Sequence, residues 1–70
     1  MTIAKIIKGI RSTLCITQEQ LAHDLNISFS TINRWENGHS VPSRLARMKL
    51  VDYCSAKEIN DDLMNELHKL

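Results

Sequence analysis

Residues 17–38 read TQEQLAHDLNISFSTINRWENG. The second half of this run holds few apolar side chains and many small or hydrogen-bonding ones. Ile32 and Trp35 stand three positions apart, so a helix turns both to one side. Phe29, Ser30, Asn33 and Arg34 then fall on the other. A face of this kind suits directional hydrogen bonding to something polar and specific. It does not suit bond-making chemistry. The chain has no Ser/His/Asp or Cys/His grouping at sensible spacing, and a small helical core leaves little room for a pocket. His23, His39 and His68 are far apart and form no HxxxH pair, and Cys15 and Cys54 form no CxxC. No metal site and no cofactor are expected.

The elements that must hold this face can be read from caps and apolar spacing. Thr17 with Gln20 three residues on is a capping box, opening a helix over 18–25 with Leu21, Ala22 and Leu25 inside. Asn26 tolerates the left-handed backbone of a tight turn. Ser28 caps a helix over 29–37, and Gly38 suits its C-terminal stop. Before this pair, Thr2 caps a helix over 3–14, with Ile3, Ile6, Ile7, Ile10 and Leu14 on one face. Gly9 inside it costs about 1 kcal/mol relative to alanine. After the pair comes a loop from His39 to Pro42. Ser43 then caps a helix over 44–55 with a broad apolar face: Leu45, Met48, Val51 and Cys54, with Ala46 and Leu50. Asn60 precedes a helix over 61–69. Asp61 and Asp62 in its first turn and His68 and Lys69 in its last suit the helix dipole. Its stripe is Leu63, Met64, Leu67 and Leu70. No segment alternates with period two, so the fold expected is all-α, a compact bundle of five helices.

Seventy residues make one domain, 1–70, near the lower size limit for a fold without a staple. With one Trp, one Tyr and one Phe, the core must come from Ile, Leu, Val and Met. The net charge of +1 is unevenly placed. Residues 1–49 carry seven Lys/Arg against three acids, a net +4; residues 50–70 carry two against five, a net −3. One end can therefore meet anions while the other does not. No apolar run reaches membrane-spanning length, and the N-terminus lacks a signal-peptide pattern. A cytoplasmic chain with two free, largely buried thiols is expected.

Taken together, Arg11, Leu14 to Ala22 (LCITQEQLA), Leu25 to Ser28 (LNIS), Thr31-Ile32, Trp35 to Gly38 (WENG) and Pro42-Ser43 resemble the Cro/cI-type (XRE) helix-turn-helix DNA-binding domain. The likeness extends over about residues 3 to 70. Two positions depart from the pattern: the family usually has glycine where Cys15 and Asn26 stand. Asn26 is an easy replacement; at Cys15 a different local turn is expected.

The resemblance implies a lambda-repressor-like fold whose third helix enters the major groove while the second crosses above it. It implies base reading by Phe29, Ser30, Asn33 and Arg34, and phosphate contact by Gln18, Thr31, Asn37, His39, Ser40 and Arg44. It also implies a structural ion pair between Arg11 and Glu36. Arg34 has the donor fork for guanine O6/N7, Asn33 can read adenine or reach a phosphate, and Phe29 can cover a thymine methyl. The function implied is a non-enzymatic, sequence-specific regulator of transcription, a repressor by analogy, in a prokaryotic or phage setting and associated with the nucleoid. Its expected partners are a double-stranded operator and a second copy joined through the C-terminal helix. No membrane and no small-molecule ligand are expected. The rival reading is a protein-interaction module on the same fold, such as an antitoxin or adaptor.

Overall fold

The computed structural model describes residues 2–69 and contains α1 (Ile3–Leu14), α2 (Gln18–Leu25), α3 (Phe29–Glu36), α4 (Arg44–Ala56) and α5 (Asp61–His68). All the described elements are helical. The expected boundaries shift by one residue at three ends. Asn37 and Lys69 serve as C-terminal caps, and α4 extends through Ala56.

Every helix begins on a side chain that replaces a missing intrahelical partner. Thr2, Thr17, Ser28, Ser43 and Asn60 accept hydrogen bonds from the amides of Lys5, Gln20, Thr31, Ala46 and Leu63. Each such cap stabilises its helix by about 1 kcal/mol. The capping box at Thr17 is only half formed. Gln20 donates from Nε2 to Asp24 at 2.8 Å, and its side-chain oxygen accepts no bond from the Thr17 amide among the described residues.

Four helices end the same way, on one residue with positive φ. Cys15 (φ 56°), Asn26 (57°), Gly38 (74°) and Glu58 (56°) each reverse the chain. The next amide then reaches back into the last turn: Ile16 to Arg11 O, Ile27 to Ala22 O, His39 to Arg34 O and Ile59 to Cys54 O. This is the Schellman closure, which satisfies carbonyls that the helix leaves open. Only one of the four positions is glycine. The turn at Cys15 is therefore the ordinary one, contrary to expectation. That conformation also turns Cys15 out to solvent, so the two thiols are not both buried: Cys15 is exposed and Cys54 fully enclosed, both free.

The core joins Ile3, Ile6, Ile7 and Ile10 of α1 to Leu21, Ala22 and Leu25 of α2, Ile32 and Trp35 of α3, Leu50 and Cys54 of α4, and Leu63 and Leu67 of α5. Ile59, just after the α4 closure, is buried with them. α1 packs against α3 and α5, and α2 against α3 and α4. Gly9 lies where α1 meets α5. A Cβ there would stand 3.1 Å from a Leu63 methyl, so the bare backbone lets the two helices approach. Across the other side, Tyr53 of α4 donates its hydroxyl to Asp24 of α2 at 2.8 Å.

The apolar face expected for α4 is too broad. Leu50 and Cys54 point inward, and Ala46 and Val51 lie at the core margin. Leu45 and Met48 are 67% and 57% exposed. A helix that meets the bundle along a single seam buries only a narrow stripe. In α5, by contrast, Leu63 and Leu67 are buried and Met64 packs on the core, which leaves little of that stripe for another partner. Leu70, also assigned to it, lies outside the described residues.

The left-handed closure at Cys15 can be tested by substitution. Cys15→Gly should leave urea-unfolding stability unchanged or raised, within about 1 kcal/mol. Cys15→Val, β-branched where φ is positive, should lower it by about 1–2 kcal/mol. Equal stabilities for the two variants would contradict the observed turn.

Candidate nucleic-acid interface

Three residues, 26–28, join α2 to α3, and Ser28 caps α3 with its hydroxyl. Ile32, Trp35 and Glu36 of α3 face inward. Its other side therefore faces solvent: Phe29 is 48% exposed, Ser30 and Arg34 are exposed, and Asn33 is half-buried. Asn37 and His39 continue this surface past the helix end, with Ser40 half-buried and Arg44 exposed at the start of α4. Gln18, the first residue of α2, is half-buried beside them. Thr31 is half-buried, and its hydroxyl shares a 2.8 Å hydrogen bond with Ser28.

Beneath this surface lies a bidentate ion pair. Arg11 donates from Nε to Glu36 Oε2 at 2.6 Å and from Nη2 to Oε1 at 2.7 Å. Its Nη1 also reaches the Ile16 carbonyl at 3.4 Å. One guanidinium thus ties α1, the α1–α2 turn and the end of α3. The Glu36 side chain is only 2% exposed; that of Arg11 is 24% exposed. The parallel N–H···O geometry fixes orientation as well as distance.

A chain of amides leads from this pair to the surface. Gln18 lies close enough to the Glu36 carboxylate to help lower its pKa. Asn33 donates from Nδ2 to Gln18 Oε1 at 3.3 Å, and Asn37 donates to Asn33 Oδ1 at 2.9 Å. Gln18 and Asn37, expected on the phosphate backbone, and Asn33, expected on the bases, therefore form one unit. Asn33 keeps one N–H and one lone pair for an outside partner. Arg34, in the last turn of α3, has no partner among the described residues.

Burial alone would raise the Glu36 pKa. Hydrogen bonds from Arg11 and the nearness of Gln18, with the charges of Arg11 and Lys8, outweigh it and hold the carboxyl below its ordinary value of 4.5. The same bond raises the Arg11 pKa. On the far side of α2, the Tyr53 hydroxyl lowers the Asp24 pKa, and burial with the Asp24 bond pushes Tyr53 up to about 12. Every buried polar side-chain atom among the described residues has a partner.

The amide chain and the Tyr53–Asp24 bond are what sequence reasoning missed. Both depend on which residues of different helices meet. No group of three or more His, Cys, Asp or Glu among the described residues could hold a metal ion, and no described helix is long and apolar enough to cross a membrane.

Two capped helices, joined by a tight turn, with the second presenting polar side chains on a buried base, define a helix-turn-helix. The profile of a helix-turn-helix family matches residues 16–53, from the closure of α1 to Tyr53 of α4. The chain belongs to this XRE (Cro/cI-type) family of DNA-binding regulators. Its five-helix arrangement is the lambda-repressor-like fold. Searches of curated proteins and of solved structures find no match.

The ion pair makes a stability prediction with a pH sign. Glu36 has a depressed folded-state pKa, so its stabilisation is present above pH 4.5 and is lost as pH falls through the folded value. Asp24 acts in the same direction. Arg11→Ala should cost about 3 kcal/mol, because it strands a buried carboxylate. Arg11→Met combined with Glu36→Leu should recover most of that loss and flatten the acid limb. Urea titrations at pH 7 and pH 4 would measure both effects. An additive double mutant would show that the pair is not coupled.

Proposed function

We propose that this protein is a sequence-specific transcriptional regulator, acting as a repressor, whose α3 reads the major groove of double-stranded DNA. The observation carrying this reading is the outer face of α3. Arg34 extends from it with a free guanidinium, next to Asn33 held by Gln18 and Asn37. A planar donor fork matches guanine O6/N7, and a pinned amide presents one donor and one acceptor in fixed directions, as adenine N7/N6 requires. Phe29 and Ser30 complete the reading set, Phe29 as an apolar surface for a thymine methyl.

Around them, Gln18, Thr31, Asn37, His39, Ser40 and Arg44 are assigned to the phosphate backbone. The charge split supports that assignment, since the positive part of the chain contains all of them. Phosphate contacts supply most of the affinity and its salt dependence; base contacts supply the choice of sequence. The activity is binding alone, without catalysis or a small-molecule ligand, in the cytoplasm of a prokaryotic or phage-infected cell. One α3 offers few base contacts. Two copies on a two-fold symmetric operator, with half-sites about one helical turn apart, would double them.

Selection from a random duplex library should enrich a pseudo-palindrome. On the selected site, Arg34→Ala should cost about 1–3 kcal/mol and relax preference at one base pair per half-site. Arg44→Ala, measured on isolated half-sites, should instead weaken all sequences alike and reduce the log–log salt slope by about one. If Arg34→Ala left affinity and preference unchanged, the groove reading would be wrong. No enrichment at all would favour the protein-interaction module.

A further inference from the structure

Among the described residues four large apolar side chains stand exposed, and three fall within one stretch of eight residues: Val41 at 73%, Leu45 at 67% and Met48 at 57%. The fourth, Phe29, is on α3. Leu45 and Met48 are one turn apart on α4, Val41 leads into that helix, and half-buried Val51 continues the line. Beside it runs an open groove of about 330 Å³ whose lining includes Met48, Val51 and Leu67. Its lining mixes these apolar side chains with the charged Arg44, Arg47 and Asp52.

We propose that this α4 face is the homodimer interface, with a second copy of α4 lying antiparallel across a two-fold axis at Met48. The inference rests on the dimer in the reading above and names its surface. The argument is charge and shape complementarity in one register. An axis at Met48 sets residues equally distant from it in opposite directions against each other. Leu45 then meets Val51 of the other copy, and Met48 meets Met48. Arg44 meets Asp52, and by symmetry Asp52 meets Arg44. Both are exposed, and neither has a partner among the described residues. A two-fold contact requires this self-complementarity, since the same patch must serve both sides. In the α5 stripe, Leu63 and Leu67 are already in the core.

The interface also bears on DNA binding. Arg44 is one of the proposed phosphate contacts, and a guanidinium has five N–H donors. A bond to Asp52 of the second copy leaves donors for a phosphate and fixes where they point. A contact made by one helix per protomer belongs to the small, transient class of interfaces, so dimerisation should depend on concentration and be reinforced by a full operator.

The test is sedimentation of the whole chain without DNA over a concentration series, with circular dichroism to verify folding. Wild type should pass from monomer to dimer. Met48→Glu should stay folded and monomeric. Asp52→Arg should weaken the dimer at least tenfold, and adding Arg44→Asp should restore it, because the swapped pair keeps the complementarity. Met48→Glu should still bind an isolated half-site as wild type does while losing the gain from a full site. A wild-type chain that stays monomeric would overturn the dimer itself. A dimer unaffected by Met48→Glu, or no rescue by the swapped pair, would overturn this interface alone and leave the dimer reading standing.

Discussion

The Arg11–Glu36 pair is the constraint on which the rest of the structure depends. A carboxylate as enclosed as Glu36 is tolerated only with a partner of fixed geometry. The bidentate fork supplies it from α1 and also holds the Ile16 carbonyl that begins the α1–α2 turn. Apolar packing of Ile32 and Trp35 could hold α3 against the core at several rotations about its axis. Hydrophobic contact is non-directional, whereas two parallel hydrogen bonds are not. The pair therefore sets which residues of α3 face out.

From Glu36 the order continues outward through Gln18, Asn33 and Asn37. The two ends of this chain differ in character. Asn33 is held by two neighbours, so its remaining donor and acceptor point in defined directions with little rotamer freedom left to lose. Arg34 is exposed and has no partner among the described residues. A pinned amide and an exposed guanidinium thus stand side by side, both set on the same buried base.

The helix starts were legible because capping is local. A Ser, Thr or Asn three residues before an amide needs nothing from the rest of the chain, and all five caps form as the spacing predicts. The ends were harder, because only Asn26 and Gly38 announce a left-handed residue. Cys15, Asn26 and Glu58 adopt it under the pull of the next residue: Ile16, Ile27 and Ile59 all turn back onto the helix they follow. That recurrence of isoleucine after a polar or small residue was the available signal for Ile59, whose burial sequence reasoning missed.

What the sequence determined by itself was the local and periodic part: five helices, their caps, the inward sides of α1, α2 and α3, and an outward polar set on α3. These follow from interactions within a few residues, together with a motif whose blocks are specific in order and distance. What only the tertiary structure decided was how much of each apolar stripe finds a neighbour, and which polar groups meet. Leu45 and Met48 have helical spacing indistinguishable from a core position, yet the seam between α4 and its neighbours is too narrow to include them. Gln18 and Asn33 are polar residues fifteen positions apart whose bond exists only because α2 and α3 cross where they do. Periodicity specifies which side of a helix is apolar; the width of the seam, and the partners across it, depend on the other helices.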